Sequence, residues 1–234
     1  MKIHAREVIG LALIVVGIGF EKQWWAIPRE WNPWQPLQVA DPITPVTQWK
    51  LQRLEGDPEA CLAALQTTPE ESLVYTPLVP HTPVEGCPLD NVVRIQRTDV
   101  TFNRSFVASC PLAVAWVLYE RHRLQPLARD MFGQSVAGVE HYGSFACRNI
   151  YHRPNARRSE HATADALDVA AFRLESGQRI ELLRGWDDEG KAGEFLHQAQ
   201  EGACGLFGTV LGPGYNAAHA DHFHLGMRSI NVCR

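Results

Sequence analysis

Two short windows hold the residues able to bind a metal or move a proton. The first reads Ser159-Glu160-His161-Ala162-Thr163-Ala164-Asp165-Ala166-Leu167-Asp168, and the second reads His219-Ala220-Asp221-His222-Phe223-His224. Imidazole nitrogen and carboxylate oxygen are donors that zinc takes, and a catalytic zinc ion keeps three protein ligands and leaves its fourth position to water. His161, Asp168 and His224 make such a set. Two neutral imidazoles and one carboxylate leave the ion a net positive charge, which brings the pKa of bound water towards neutrality and makes it a nucleophile. Each residue also has a plainer use: the histidines could be satisfied core groups, and Asp168 could cap a turn. An acid between Leu167 and Val169, however, needs a partner if it is buried.

The spacing dictates how these residues must be carried. His161 and Asp168 are seven positions apart; on a helix they would share a face but lie about 10 Å apart along the axis, too far for one ion. The segment is therefore expected to be a loop bearing His161 that turns back through Ala162, Ala164 and Ala166 into a strand bearing Asp168. Alternation then sends Ala166, Asp168 and Ala170 to one face and Leu167, Val169 and Ala171 to the other. His222 and His224 share a strand face. Asp221 has the opposite parity and joins them only if the strand starts after it or bulges there. Other strands are expected at 92–95, 145–150 and 223–227. Helices are expected over 111–123, with Pro111 in the first turn, and over 190–204. Strands dispersed among helices without a strict βαβ rhythm indicate an α+β fold with a small central antiparallel sheet and flanking helices.

The remaining sequence bounds the class. With 234 residues, 45% hydrophobic and 21% charged, the chain can bury one sizeable core. A formal charge of −4 offers no basic field for phosphate backbones, so nucleic acid is not an expected partner. Cys61, Cys87, Cys110, Cys147, Cys204 and Cys233 are widely spread with no C-x-x-C pair, a pattern that suits disulfides better than structural zinc and leaves 15 connectivities open. Lys2 and Arg6 precede an uncharged apolar run from Val8 to Phe20, the form of an export signal. No small-x-small site follows it, and Lys22, Trp24 and Trp25 sit where interfacial residues belong, so an uncleaved inner-membrane anchor is expected, with secretion after cleavage near Ala26 as the alternative. The organisation read from this is an anchor over 1–23, a Pro- and Trp-rich linker or strap over 24–59, and a globular domain over 60–234.

At these residues the chain resembles a known group. Ser-x-His-x6-Asp followed by Asp-x-x-His, with His-x-His inside it, is similar to the zinc peptidases that include D-Ala-D-Ala carboxypeptidases, lysostaphin-type endopeptidases and the hedgehog signalling domain. More closely, Gly143-Ser144-Phe145-Ala146-Cys147-Arg148-Asn149, Ser159-Glu160-His161-Ala162, Ala166-Leu167-Asp168-Val169-Ala170, Leu211-Gly212-Pro213-Gly214-Tyr215-Asn216 and Cys233-Arg234 resemble the bacterial extensin-like C-terminal domain family over about 60–234. The resemblance implies a disulfide-stapled zinc peptidase fold with His161, Asp168 and His224 as ligands of Zn2+. It implies Asp221 or His222 as the base, Arg148 facing the substrate carbonyl, and Ser159 as the small polar residue before the first ligand. It departs from the carboxypeptidases at Ala164, where many have Gly. The implied function is hydrolysis of amide bonds in peptidoglycan stem peptides, terminal or internal, by a periplasmic ectodomain. A second reading is a non-catalytic wall-binding or signalling module that keeps the zinc structurally.

Overall fold

The computed structural model describes residues 5–21, 26–228 and 231–234. Lys2, Lys22, Trp24 and Trp25, on which part of the anchor reading rests, lie outside the described residues. The apolar run forms α1 (Ala5–Glu21). No helix among the described residues is long and apolar enough to cross a membrane.

The proline-rich segment is not an open linker. Pro45 occupies the first turn of α2 (Pro45–Arg53), where its missing N–H costs nothing. Thr44 caps that helix reciprocally: its hydroxyl accepts from the Val46 amide, and the Thr47 hydroxyl accepts from the Thr44 amide. Leu37, Val39, Leu51 and Leu54 of this segment are buried in the main core, so it is a strap that contributes to the domain. α3 (Pro58–Gln66) follows, N-capped by Asp57.

The sheet is large and mixed, which corrects the expectation of a small antiparallel one. β1 (Val74–Pro77), β4 (Val92–Arg97), β5 (Thr101–Ser109), β6 (Val136–Gly143), β7 (Ala166–Leu174), β10 (Phe223–Gly226), β9 (Thr209–Leu211) and β11 (Val232–Cys233) lie side by side in that order. β8 (Arg179–Glu181) pairs with the far half of β7, while β2 (His81–Val84) and β3 (Cys87–Leu89) form a separate hairpin. The β5–β6 and β9–β11 pairs are parallel. Parallel strands need a crossover, and β5 and β6 are joined by one: α4 (Cys110–Tyr119), a π-helical turn over Glu120–Leu124, and α5 (Gln125–Phe132). The helix expected to end at residue 123 thus continues. Pro126 cannot donate to the carbonyl four residues back, and the widened turn before it absorbs that missing bond.

Every residue of α4 is buried, consistent with its apolar surface all round. It packs in one core with α7 (Lys191–Ala203), close to the helix expected over 190–204 and preceded by the single turn α6 (Leu182–Gly185). Leu167, Val169, Phe223 and Leu225 face that core, so the alternate residues of β7 and β10 present the other sheet face to a cleft. Three disulfides join Cys61 to Cys110, Cys87 to Cys147 and Cys204 to Cys233, and among the described residues no cysteine is free. The second of these ties the β2–β3 hairpin to the segment 145–150. That segment is not the expected strand. It is irregular, makes one isolated bridge, Asn149 to Arg158, and runs into a 3-10 turn at Ile150, because its amides and carbonyls are taken by the irregular segment 157–161.

Candidate metal centre

The loop before β7 has the expected form. Ser159 caps a 3-10 turn, Glu160–Thr163, by accepting from the His161 amide at 3.4 Å. The turn ends at Ala164, which takes φ 56° and ψ 29°. This left-handed conformation reverses the chain into β7, and glycine would adopt it without the strain an alanine carries. On the sheet, Asp168 and His224 are direct cross-strand partners of the antiparallel β7–β10 pair, so both side chains emerge on one face. His161 reaches them from the turn.

The three proposed ligands converge. His161 Nε2 lies 3.1 Å from Asp168 Oδ2 and 3.1 Å from His224 Nδ1, and His224 Nδ1 lies 3.0 Å from Asp168 Oδ1. All three side chains are largely withdrawn from solvent. The outer nitrogens are held as well: His161 Nδ1 donates to the Ser144 carbonyl at 3.0 Å, and His224 Nε2 donates to Glu160 Oε2 at 3.3 Å. Glu160, buried, also accepts from the Arg228 amide at 2.8 Å. A carbonyl can only accept, so the His161 proton belongs on Nδ1 and its Nε2 lone pair faces inward; the ionised Glu160 fixes the opposite tautomer in His224. Two inward lone pairs and a carboxylate within hydrogen-bond distance of one another form a set that could hold a cation, whether a proton or a metal ion. Carboxylate and carbonyl partners on the outer nitrogens are the arrangement that metal-binding histidines use.

The charges answer to this geometry. Burial would raise the Asp168 pKa, but when the inward nitrogens of His161 and His224 carry protons, their hydrogen bonds outweigh it and hold the carboxyl well below the usual range. Burial likewise opposes protonation of His224, yet its bonds to Asp168 and Glu160 push the imidazole up to about 9 when only a proton is available to sit there. Burial also opposes ionisation of Glu160, and the bonds from His224 and the Arg228 amide keep its pKa low.

The second window divides Asp221 from His222. β10 begins at Phe223, after both of them, so the parity conflict does not arise. His222 Nε2 faces the centre, 3.6 Å from Asp168 Oδ1. Asp221 does not face it: Oδ1 accepts from His222 Nδ1 at 2.8 Å, and Oδ2 accepts from the Tyr142 hydroxyl at 3.1 Å. Those two bonds overcome burial and hold the Asp221 carboxyl below its ordinary pKa. Tyr142 is available because β6 and β7 pair His141 with Val169 and Gly143 with Asp168, which leaves Tyr142 as an unpaired bulge residue.

A cleft of about 430 Å3 opens over the centre, lined among others by Arg148, Ser159, His219, His222 and Arg228. Arg148 reaches it from the irregular segment rather than from a strand. Ser159 lines it too, with its hydroxyl committed to the cap. His219 is part of the wall: its Nδ1 bonds Asn216 Oδ1 at 2.8 Å, and burial, followed by the charges of His222 and His224, lowers its pKa to about 4. Sequence reasoning did not single out Glu160, Ser144, Tyr142 or Arg157 as site residues. Glu160 adjoins His161 in the motif, the one local sign of its role; the other roles depend on register.

No curated protein and no solved structure matches the chain. A family model does, the one described as "Extensin-like protein C-terminus", over residues 59–234. These residues include the loop, both strands and every side chain of the centre. With that match over most of its length, the chain belongs to the extensin-like C-terminal family.

Proposed function

We propose that this protein is a zinc-dependent hydrolase of amide bonds in peptidoglycan stem peptides, working in the cell envelope. The observation that carries the reading is the convergence of two imidazole nitrogens and a carboxylate, each within 3.1 Å of the next, with both outer imidazole nitrogens anchored by acceptors. One donor atom from each of the three side chains lies within 4.8 Å of the other two, and zinc bonds of about 2.0–2.2 Å at tetrahedral angles put ligand atoms roughly 3.3–3.5 Å apart, a spacing within reach of small side-chain rotations. Nitrogen and oxygen donors with one position open to the cleft favour a catalytic over a structural ion. The resemblance to zinc peptidases agrees with this donor set. Three disulfides and the charged-then-apolar N-terminus favour an exported domain, anchored in the inner membrane by its first segment.

Bound there, zinc would polarise the scissile carbonyl and acidify a water molecule. The chain supplies the rest. Asp221 fixes the His222 proton on Nδ1, which leaves the Nε2 lone pair directed at the centre to take a proton from water and return it to the leaving amine. Of the two candidate bases, His222 is therefore the proton carrier and Asp221 positions it. Arg148 on the cleft wall stabilises negative charge growing on the carbonyl oxygen, a contribution of about 3–4 kcal/mol for such a donor. Ser159 holds the His161 turn. The test is incubation of the zinc-loaded full chain with defined stem peptides and mass analysis of the products. Release of a residue or fragment by an amide cut supports the proposal. Bound zinc with retained wall binding and no product would favour the non-catalytic module.

A further inference from the structure

Residues 148–150 and 157–159 run antiparallel as a short ladder beside the centre. The Ser159 amide donates to the Arg148 carbonyl at 3.0 Å, the Ile150 amide donates to the Arg157 carbonyl at 2.9 Å, and Asn149 pairs with Arg158 between them. Side chains alternate across such a ladder. Asn149 and Arg158 share one face, where Arg158 Nη1 donates to Asn149 Oδ1 at 3.2 Å. Alternation sends Arg148, Ile150, Arg157 and Ser159 to the other face, and all four line the cleft that contains His161, Asp168 and His224. Arg157 therefore belongs to the wall of the site.

The register makes Arg148 and Arg157 diagonal neighbours, about 7–8 Å apart at the backbone. Among the described residues neither guanidinium forms an ion pair. The carboxylates that line the cleft are already engaged, Asp168 by imidazoles and Glu160 by His224 and the Arg228 amide. One wall thus carries two like charges with no counter-charge of the protein's own. The wall is also pinned at both ends. The Cys87–Cys147 disulfide precedes it, and the turn joining its two limbs holds Tyr151 and His152 at φ 52° and 56° while the Tyr151 hydroxyl accepts from Asn216 Nδ2, at 2.9 Å, across the cleft.

We infer that Arg157 is a specificity-determining residue that binds a free carboxylate of the substrate peptide close to the scissile bond. The guanidinium fork matches a carboxylate in two parallel bonds, and Arg148 beside it is left to face the carbonyl. The inference rests on the hydrolase reading for the ligand being a peptide. It leaves the carboxylate's source, chain terminus or acidic side chain, to the experiment.

The experiment is calorimetric titration of the zinc-loaded full chain carrying His222→Ala, which slows turnover, with three versions of one stem peptide: unmodified, amidated at the C-terminus, and amidated at its acidic side chains. One of the two amidations is expected to weaken binding about tenfold, the scale of a charge-assisted hydrogen bond at an exposed rim, and the one that does identifies the source. Adding Arg157→Gln is expected to bring that ratio close to one, whereas Arg153→Gln, on the same turn but outside the cleft lining, leaves it in place. Equal binding of all three peptides overturns the inference, as does a ratio that survives Arg157→Gln or is lost equally with Arg153→Gln. A chain that takes up no zinc yet keeps an Arg157-dependent preference contradicts the hydrolase reading and supports this one. A chain that binds zinc and shows no preference does the reverse.

Discussion

Replacing Glu160 by Gln keeps the size of a buried side chain and removes its charge, and it should weaken zinc binding by about 10–100-fold. The magnitude follows from the bonds at stake. Glu160 accepts from His224 Nε2 on one side and from the Arg228 amide on the other. A glutamine offers one acceptor and one donor, so one of these N–H groups must meet an NH2. If it is His224, relief comes only by moving the imidazole proton to Nδ1, the nitrogen that has to ligate. A hydrogen bond to a charged group contributes about 1.5–3 kcal/mol, and roughly 1.4 kcal/mol is a factor of ten, which agrees with the usual loss when the outer partner of a metal-bound histidine is changed. Gly226→Ala should act in the same direction, because a Cβ there would overlap the Glu160 carboxylate and push it aside. Chelator competition at neutral pH measures both, with chemical unfolding as the check that the fold persists and Glu55→Gln as a surface control. Zinc affinity within twofold of the parent in folded Glu160→Gln would refute the idea that this carboxylate orients His224 for a metal.

Other outcomes follow from the same geometry. His222→Ala should lower turnover by about 10²–10⁴-fold with zinc content unchanged, and Asp221→Asn should lower it less; equal loss of zinc in both would make them ligand supports instead. Ala164→Gly relieves a left-handed alanine worth about 1–2 kcal/mol but loses a buried methyl worth about 0.8 kcal/mol, so unfolding free energy should change by less than about 1 kcal/mol; a loss above 2 kcal/mol would contradict the strain argument. Glu120 accepts from the Val100 amide and Trp116 Nε1, and burial pushes its pKa up from 4.5 to about 7. The folded chain then holds a proton that the unfolded chain has released, so this group's contribution is complete below about pH 4.5 and is lost as the pH rises through 7, at most about 3 kcal/mol. Glu120→Gln should remove that slope from the urea-unfolding profile, and an unaltered slope would exclude Glu120 as its source.

The sequence was most legible where one local rule decides the outcome. Phe195, Leu196 and Ala199 at helical spacing mark α7, and the impossibility of holding one ion from a helix with a seven-residue gap points to the turn and strand that carry His161 and Asp168. What could not be read depends on partners far along the chain. β5 begins Thr101-Phe102-Asn103-Arg104-Ser105, with exposed polar residues and no clean alternation, because it meets β6 in parallel only after a helical crossover. Missing it shrank the sheet. Pro45 reads in sequence as a helix breaker, and the Thr44–Thr47 cap makes it a first-turn residue instead. In the site, the sequence left Asp221 and His222 as equal candidates for the base. They differ because the bulge at Tyr142 gives Asp221 a second donor, and so turns it towards His222 rather than the centre. Arg157 is indistinguishable in sequence from Arg153 and Arg158. Only the pairing of Asn149 with Arg158 places it on the cleft side.

Whether His161, Asp168 and His224 hold one zinc ion is answered by elemental analysis of the purified full chain after zinc loading and dialysis. One equivalent of zinc per chain is expected, with loss of that ion in folded His161→Ala, Asp168→Ala and His224→Ala variants taken singly. A parent chain that retains no zinc, or an equivalent that survives all three substitutions, would contradict this assignment.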